Sequence, residues 1–322
     1  MIRVGVLGAG SHSRGNHGPA LNTIRDEAPN EICLAGVCDL NEERRERYAD
    51  EFGFEETYES LDGMLESADV DGVVAVTPVE KTRELVGRLL STGLPTLLEK
   101  PPGTSVDEAR ELRAIADEMN CPHMVSMNRR FNPAVQQVRR RLADLWLDPP
   151  VEVTARMYRE RRTESGFLKD TGIHAADLVC SFLGSPRDIH LHRWRSTDRG
   201  EPGSHHCAAV VRFDDAIGNF TIASSVGCRQ ERYEVLGESY RASIDVRECS
   251  YRFHVEGQET EAWDLDESAP GFRRNGTLAE TRAFLDAVAD EGPYAPTLTD
   301  VVPSMALAQR MNEGTPGRLD EQ

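Results

Sequence analysis

Over its first 130 residues the chain alternates short apolar runs with amphipathic segments, and this alternation constrains the fold more than any other feature. The runs at 2–7, 32–38, 73–76, 96–98 and 123–127 are apolar and too short for core helices, so they read as buried strands. Between them apolar residues recur at helical spacing, as Leu85, Val86, Leu89 and Leu90 do before Gly93 stops that helix. Ser105 and Glu108 form a capping box at the start of another. Strands separated one by one by helices make a parallel sheet covered on both faces.

The second half has a different pattern. Val151-Glu152-Val153-Thr154-Ala155-Arg156-Met157-Tyr158 alternates as a strand with one exposed face does. One helix, 171–183, follows, and Gly184-Ser185-Pro186 ends it. Strands then dominate, at 189–195, 207–213, 216–225, 232–236, 241–246 and 251–255. Helices at 278–290 and 299–311 close the chain, with a frayed tail expected after Gly314. The predicted class is α/β: a doubly wound parallel sheet first, then an α+β region on an open, mostly antiparallel sheet. The strand–helix alternation ends near Asp148-Pro149-Pro150.

The first strand runs into Gly8-Ala9-Gly10-Ser11-His12-Ser13. The first glycine permits a tight turn, the second lets the backbone approach a pyrophosphate, and Ser13 is a small residue in the third place. A helix predicted from about Asn16 through Ile24 would offer its first amides to a phosphate. Asp39 ends the second strand, where a carboxylate accepts hydrogen bonds from an adenosine ribose and repels a 2′-phosphate. The stretch Asp39-Leu40-Asn41 also suits capping of the next helix.

The strand at 96–98 stops at Glu99-Lys100-Pro101-Pro102, because proline cannot donate to a sheet ladder. Lys100 is one of three lysines among 37 basic residues, with Lys81 and Lys169. At a core strand's end it is either a solvated charge or a partly buried ammonium in a role that arginine cannot fill. In the second half Asp170, His174 and Asp177 are spaced to share one helical face. An acid one turn before a histidine can hold the imidazole for acid–base chemistry near neutrality. An N-cap and a surface histidine give the same pattern. Two carboxylates and one histidine are too few for a metal site, and no metal is expected.

Charge narrows the partners. With 55 acidic residues and a net charge of −18, neither nucleic acid nor an anionic membrane is an expected partner. Acidic excess with few lysines suits a cytoplasm of very high salt, or a GC-rich genome that favours arginine. Seven cysteines, odd in number and without a Cys-x-x-Cys pair, fit reduced core thiols in cytoplasm. No apolar run approaches the ~20 residues of a membrane span. Met1 leads straight into a strand, without the pattern of a signal peptide.

Taken in order, several motifs resemble the Gfo/Idh/MocA oxidoreductases, the relatives of glucose–fructose oxidoreductase and inositol dehydrogenase. They are Gly8-Ala9-Gly10, Asp39, Thr77-Pro78, Glu99-Lys100-Pro101, Asn128-Arg129-Arg130-Phe131-Asn132-Pro133 and Asp170-x-x-x-His174-x-x-Asp177. The likeness covers nearly the whole chain. It implies a Rossmann domain at 1–130 and a substrate and oligomerisation domain at 131–322, with the last helices free to pack back on the first. It implies a bound nicotinamide dinucleotide, NAD with NADP as the alternative. Gly8, Gly10, Ser11, His12 and Asp39 would bind it, together with Thr77, Pro78, Glu99, Lys100 and Asn128.

The implied reaction is hydride transfer between nicotinamide and a secondary hydroxyl or ketone of a sugar, inositol or sugar acid. Lys100, Asp170 and His174 are the expected catalytic set. His174 would take the hydroxyl proton, Lys100 would stabilise the oxygen, and Asp170 would orient His174 or bind a neighbouring hydroxyl. Arg129, Arg156, Tyr158, Arg161, Asp177 and Tyr233 are the expected substrate contacts, with a structural salt bridge the other role open to Arg129 and Arg130. The Lys100–Pro101 peptide is expected to be cis. An NAD-dependent glycosidase and a non-catalytic dinucleotide-binding regulator resemble the same fold; the acid–base set argues against the regulator. The open second sheet invites pairing into a homodimer or homotetramer.

Overall fold

The computed structural model describes residues 1–195, 203–290 and 292–319. The chain divides into two units, Met1–Asn128 with Pro270–Asp300 and Arg129–Ala269 with Val301–Gln322. Among the described residues no helix is long and apolar enough to cross a membrane.

The first unit holds six parallel strands: β1 Ile2–Leu7, β2 Ile32–Cys38, β3 Glu56–Tyr58, β4 Gly72–Ala75, β5 Thr96–Glu99 and β6 His123–Ser126. Their order is β3-β2-β1-β4-β5-β6. β2, β4 and β6 are buried along their whole length, as a sheet with helices on both faces requires. Three-residue β3 is too short and too polar to carry a strand signature, and the sequence reading left it out. Ser105 Oγ accepts from Glu108 N at 3.3 Å, and Glu108 Oε2 accepts from Thr104 N at 2.7 Å. The predicted capping box therefore closes one residue early, on Thr104. Residues 270–300 belong here because the helix Thr277–Val288 packs on the helix His17–Glu27 and against β6.

The first helix differs from expectation. It begins at Ser11, directly after Gly10, and breaks at Asn16, whose φ and ψ of −134° and −69° are not helical. The chain resumes as the helix His17–Glu27. Gly18 lets that helix lie against Phe52, whose ring a Cβ would meet at 2.4 Å. Ser13, in the third motif position, is fully buried with its hydroxyl 2.9 Å from that of Tyr48.

The second unit is built on nine strands: β7 Glu152–Tyr158, β8 Asp188–Arg195, β9 His205–Arg212, β10 Ile217–Ala223, β11 Gln230–Leu236, β12 Tyr240–Asp245, β13 Ser250–Val255, β14 Gln258–Asp264 and β15 Gly317–Arg318. The order is β14-β13-β12-β11-β7-β10-β9-β8-β15, antiparallel except for the β7–β10 pair. The helix Ile173–Leu183 covers β7 and β10, and the helix Pro133–Asp144 packs on β12 and β13. Asp148-Pro149-Pro150, where the alternation ends, thus lies within this unit.

Two strands of this sheet carry no strand signature in the sequence. β14 is an edge strand of mostly exposed polar residues, so no apolar alternation marks it. β15 pairs only Gly317 with Ile189 and Arg318 with Asp188, inside the tail expected to fray; Leu319 N donates to Arg187 O at 2.9 Å.

Candidate active site

In the first unit the strand order reverses between β1 and β4, and loops leaving the carboxyl ends of both border a crevice of about 560 Å³. Gly8 has φ +103°, and a Cβ there would stand 2.1 Å from the carbonyl oxygen of Val76. A Cβ on Gly10 would meet nothing within 4 Å, so its backbone faces open space on the crevice wall. Asp39 also lines the crevice. Its Oδ2 accepts from Ala9 N at 2.9 Å and its Oδ1 from Asn41 N at 2.8 Å, tying the glycine turn to the end of β2. Asn41 is the cap of the helix Glu42–Phe52, accepting from Arg44 N at 2.9 Å. Ser11, His12, Thr77, Pro78 and Lys81 complete the wall that matters here.

Glu99, at the end of β5, anchors the interior. Its Oε1 accepts from His12 Nε2 and His17 Nε2, each at 2.9 Å, and lies 3.2 Å from Ser126 Oγ. Its Oε2 accepts from Lys100 N at 2.9 Å. Burial works to raise the Glu99 carboxyl, but hydrogen bonds from the two histidines outweigh it and hold the group well below the usual carboxylate range. Ser126 also donates to Glu280 Oε2 at 2.8 Å. The Lys100–Pro101 peptide is cis. Asn128 Nδ2 reaches Thr277 Oγ1 at 3.5 Å. Of the predicted cofactor residues, Glu99, Lys100 and Asn128 stand outside the crevice lining. His12, His17 and Glu99 bring three ligand atoms within 4.8 Å of one another. Among the described residues the buried His17 Nδ1 has no hydrogen-bond partner. A metal on His17 Nε2 would leave an unsatisfied N–H there, so hydrogen bonding to Glu99 accounts better for the cluster.

In the second unit Asp170 ends the short helix Phe167–Asp170, and His174 is the second residue of the helix Ile173–Leu183. The helix predicted at 171–183 therefore begins two residues later, and Asp170 lies in a separate short helix before it. Gly172 is required there: a Cβ would lie 2.2 Å from the carbonyl oxygen of Leu168. Gly166 similarly makes room for the Asp170 carboxylate, 2.3 Å from where its Cβ would be. His174 is 8% exposed. Lys169 Nζ is 3.7 Å from Asp170 Oδ1.

Asp177 does not face a substrate surface. It is 1% exposed and grips Arg130 with both oxygens, at 2.8 and 2.7 Å, while Ser304 Oγ donates to Oδ1 at 3.2 Å. Residues Ile173 through Cys180 are all buried, so this helix presents no polar face to solvent there. Arg129 is also tied inward. It donates to Glu231 Oε1 at 2.8 Å and Oε2 at 3.3 Å, and Arg159 donates to Oε2 at 2.5 Å. Tyr233 is buried and gives its hydroxyl to Glu231 Oε1 at 3.3 Å. Burial opposes ionisation of Glu231, but Arg129 and Arg159 hold it well below the usual carboxylate range, with His174 close enough to contribute.

Arg156 and Tyr158 lie on the other face of the sheet. Val153, Ala155 and Met157 are buried, and Val153 is in register with Gly218, whose Cβ would stand 3.1 Å from Val179 of the covering helix. Alternation therefore turns Arg156 and Tyr158 away from the helix that carries His174. Arg161 is exposed, with φ 54° and its amide donating to Ser225 Oγ at 3.3 Å.

Residues 2–127 match the oxidoreductase family with an NAD-binding Rossmann fold, and residues 120–314 match the same family's C-terminal alpha/beta domain. The chain belongs to the Gfo/Idh/MocA oxidoreductases. It is 26% identical to inositol 2-dehydrogenase of Rhizobium meliloti over 343 residues, which covers 95% of this chain and 94% of that one. In fold it is similar to UDP-N-acetylglucosamine 3-dehydrogenase GnnA from Acidithiobacillus ferrooxidans, with TM-score 0.82, 23% identity and coverage of 98% and 97%. It is similar also to levoglucosan dehydrogenase in complex with NADH, with TM-score 0.83, 15% identity and 99% of each chain covered.

As a member of this family the chain is a dehydrogenase with an NAD-binding first unit. The crevice fits that cofactor on its own geometry. A positive-φ glycine shapes the turn, a second glycine leaves backbone open to a phosphate, and a carboxylate stands at the end of β2. Sequence reasoning missed Glu231, Arg159 and the His17–Glu99 contact. Glu231 had a readable signal: it shares strand parity with the apolar-face residues Tyr233 and Val235, and a charge at such a position demands a partner.

Proposed function

We propose that the chain oxidises a secondary alcohol of a sugar or polyol with NAD, or reduces the matching ketone, using Lys100, Asp170 and His174. Bound nicotinamide supplies the two-electron chemistry. Oxidation of the alcohol releases one proton, which His174 takes. Lys100 donates a hydrogen bond to the same oxygen and stabilises the negative charge that develops on it. Asp170, whose carboxylate sits against Gly166, orients the substrate or the imidazole. The dinucleotide crevice supports this reading most directly, because Gly8 makes the tight turn against Val76 and Gly10 leaves backbone open to a phosphate. Asp39 favours NAD over NADP by repelling a 2′-phosphate.

The test is a panel of sugars and inositols with NAD, followed by reduced-nicotinamide absorbance. Once a substrate is found, Lys100→Met and His174→Ala should each lower kcat about 10²- to 10⁴-fold with NAD binding retained. The double variant should lose little more than either single one, since both groups serve one oxygen. Full activity in Lys100→Met would overturn the assignment.

The open face of the second sheet supports self-association. Trp194, Val210 and Ile217 are 45%, 47% and 46% exposed there, on the adjacent strands β8, β9 and β10. A reducing cytoplasm is the compartment that suits seven free cysteines, six of them buried.

A further inference from the structure

His12 stands where the dinucleotide crevice meets the interior of the first unit. It lines the crevice with Gly8, Gly10 and Ser11, and its side chain is 54% exposed. Among residues 8–12 it is the only titratable side chain. Its Nε2 lies 2.9 Å from Oε1 of Glu99, whose side chain at the end of β5 is 12% exposed. The same oxygen lies 2.9 Å from Nε2 of His17, whose side chain is 1% exposed. The Ser126 hydroxyl has a single proton and sits closer to Glu280 Oε2, at 2.8 Å, than to Glu99, at 3.2 Å. Glu99 therefore keeps its charge chiefly through the two imidazoles.

This geometry fixes the tautomers. An ionised carboxylate only accepts hydrogen bonds, so both histidines present Nε2–H to it. Nδ1 is then an acceptor in a neutral ring and a second donor in a charged one. His17 gains nothing from a second proton. Its Nδ1 is buried and, among the described residues, has no hydrogen-bond partner, so an N–H there would be a stranded donor. His12 differs because its ring borders the space that receives the cofactor. A donor on that ring binds a phosphate oxygen, and the carboxylate behind it stabilises the positive charge.

The glycine turn is short of positive charge for such a ligand. A dinucleotide's pyrophosphate carries a negative charge on each phosphate. The helix after Gly10 has five residues, Ser11–Gly15, so few peptide dipoles add up along it. Arg14 on that helix is paired with Glu51. The other cations of the lining, Arg44 and Lys81, stand on the helices Glu42–Phe52 and Val79–Ser91. Lys81 is paired with Glu84 at 2.8 Å. Asp39 and Glu59 add negative charge to the same lining.

We propose that NAD binding draws a proton onto His12, and that the charged imidazole, held by Glu99, donates from Nδ1 to the dinucleotide's pyrophosphate. This rests on the NAD-binding reading and adds a proton linkage to it. Glu99 and His17 are positioning residues: Glu99 holds the ring, and His17 shares the oxygen that holds it. The proton comes from solvent, and no covalent bond of the dinucleotide changes.

The experiment is calorimetric titration of the full chain with NAD and, separately, with ADP-ribose, which has the same pyrophosphate without the nicotinamide. Each titration is repeated between about pH 6 and about pH 8.5, a range that spans the usual histidine value, in buffers of different ionisation enthalpy. The slope of observed heat against buffer enthalpy counts the protons taken up. A group that binds its proton more tightly in the complex gives full affinity at low pH and loses it as pH rises. A charge pair of this kind raises the proton affinity of the ring about tenfold, so uptake should peak at about half a proton and Kd should rise about sevenfold across the range. His12→Gln keeps a donor for Glu99 and removes the titration; it should take up no proton and bind throughout as weakly as the wild type does at the alkaline end. His12→Arg carries its charge at every pH and should bind without proton uptake and without pH dependence.

Uptake by the wild type that both variants abolish supports the proposal. NAD binding with no proton exchange and equal affinity at both ends of the range overturns it and leaves the cofactor assignment standing. Uptake that persists in His12→Gln overturns it, because another group then takes the proton. Uptake with NAD and none with ADP-ribose also overturns it, since the linkage would then lie at the nicotinamide. Failure of the wild type to bind either dinucleotide at any pH overturns both the proposal and the reading beneath it.

Discussion

Glu231→Gln isolates the one carboxylate that organises the second unit's interior. The amide keeps the shape and removes the charge. Arg129 and Arg159 then lose the carboxylate that both of them grip, with side chains 16% and 7% exposed. Removing one partner of a buried ion pair typically costs about 3–5 kcal/mol, because the remaining charge stays desolvated. The Tyr233 hydroxyl and His174 lose a negative neighbour as well. At about 2–4 °C per kcal/mol for a unit of this size, the transition of the second unit should fall by about 10 °C. The exposed pair of Lys81 and Glu84, 60% and 59% exposed, is the control. Glu84→Gln should shift the melting temperature by no more than about 2 °C, since such pairs contribute about 0–1 kcal/mol.

Calorimetry on both variants across pH gives a second signature. The folded-state carboxyl of Glu231 is held below its unfolded value, so its stabilisation is complete above about pH 4.3 and declines as pH falls toward the folded value. The gap between wild type and Glu231→Gln should therefore be constant from neutrality to about pH 5 and narrow below about pH 4. A Glu231→Gln protein that melts within about 2 °C of wild type at pH 7 would refute the assignment of a buried, charge-dependent anchor.

Asp39→Ala should weaken NAD binding about tenfold and narrow the preference over NADP, measured by titration of both cofactors; tighter NADP than NAD binding by the wild type would contradict the role given to this carboxylate. Gly8→Ala should lower NAD affinity by at least about tenfold, because its Cβ would collide with the Val76 carbonyl at a φ of +103°; unchanged affinity by fluorescence titration would show that the turn is not part of the crevice. Glu99→Gln should lower stability by about 1–3 kcal/mol at neutral pH, with the difference shrinking below about pH 4, since the hydrogen bonds from His12 and His17 hold the folded carboxyl below its unfolded value. Urea denaturation at pH 7 and pH 3.5 measures it.

The sequence announced elements whose apolar residues follow one period, and hid what depends on pairing across the chain. The strands of the first sheet were legible because each is an unbroken apolar run between turn residues, and β14 was not, because an edge strand in water needs no apolar face. The candidate site divides along the same line. Gly8, Gly10 and Asp39 were readable because dinucleotide binding demands particular residues at the ends of β1 and β2, and the crevice there is local to two loops. Asp177, Arg129 and Tyr233 looked like substrate contacts because polar residues near a motif invite that reading. Their true partners lie 47 positions away from Asp177 and 102 from Arg129, and Tyr233 faces the same buried carboxylate as Arg129. No local pattern records such pairs. Strand parity does record half of them: Glu231 falls on the apolar face of β11, and a charge placed there must be matched by a cation from elsewhere. Two arginines answer Glu231 and one answers Asp177. All three arginines have side chains 18% exposed or less, so each of these charges is matched inside the fold.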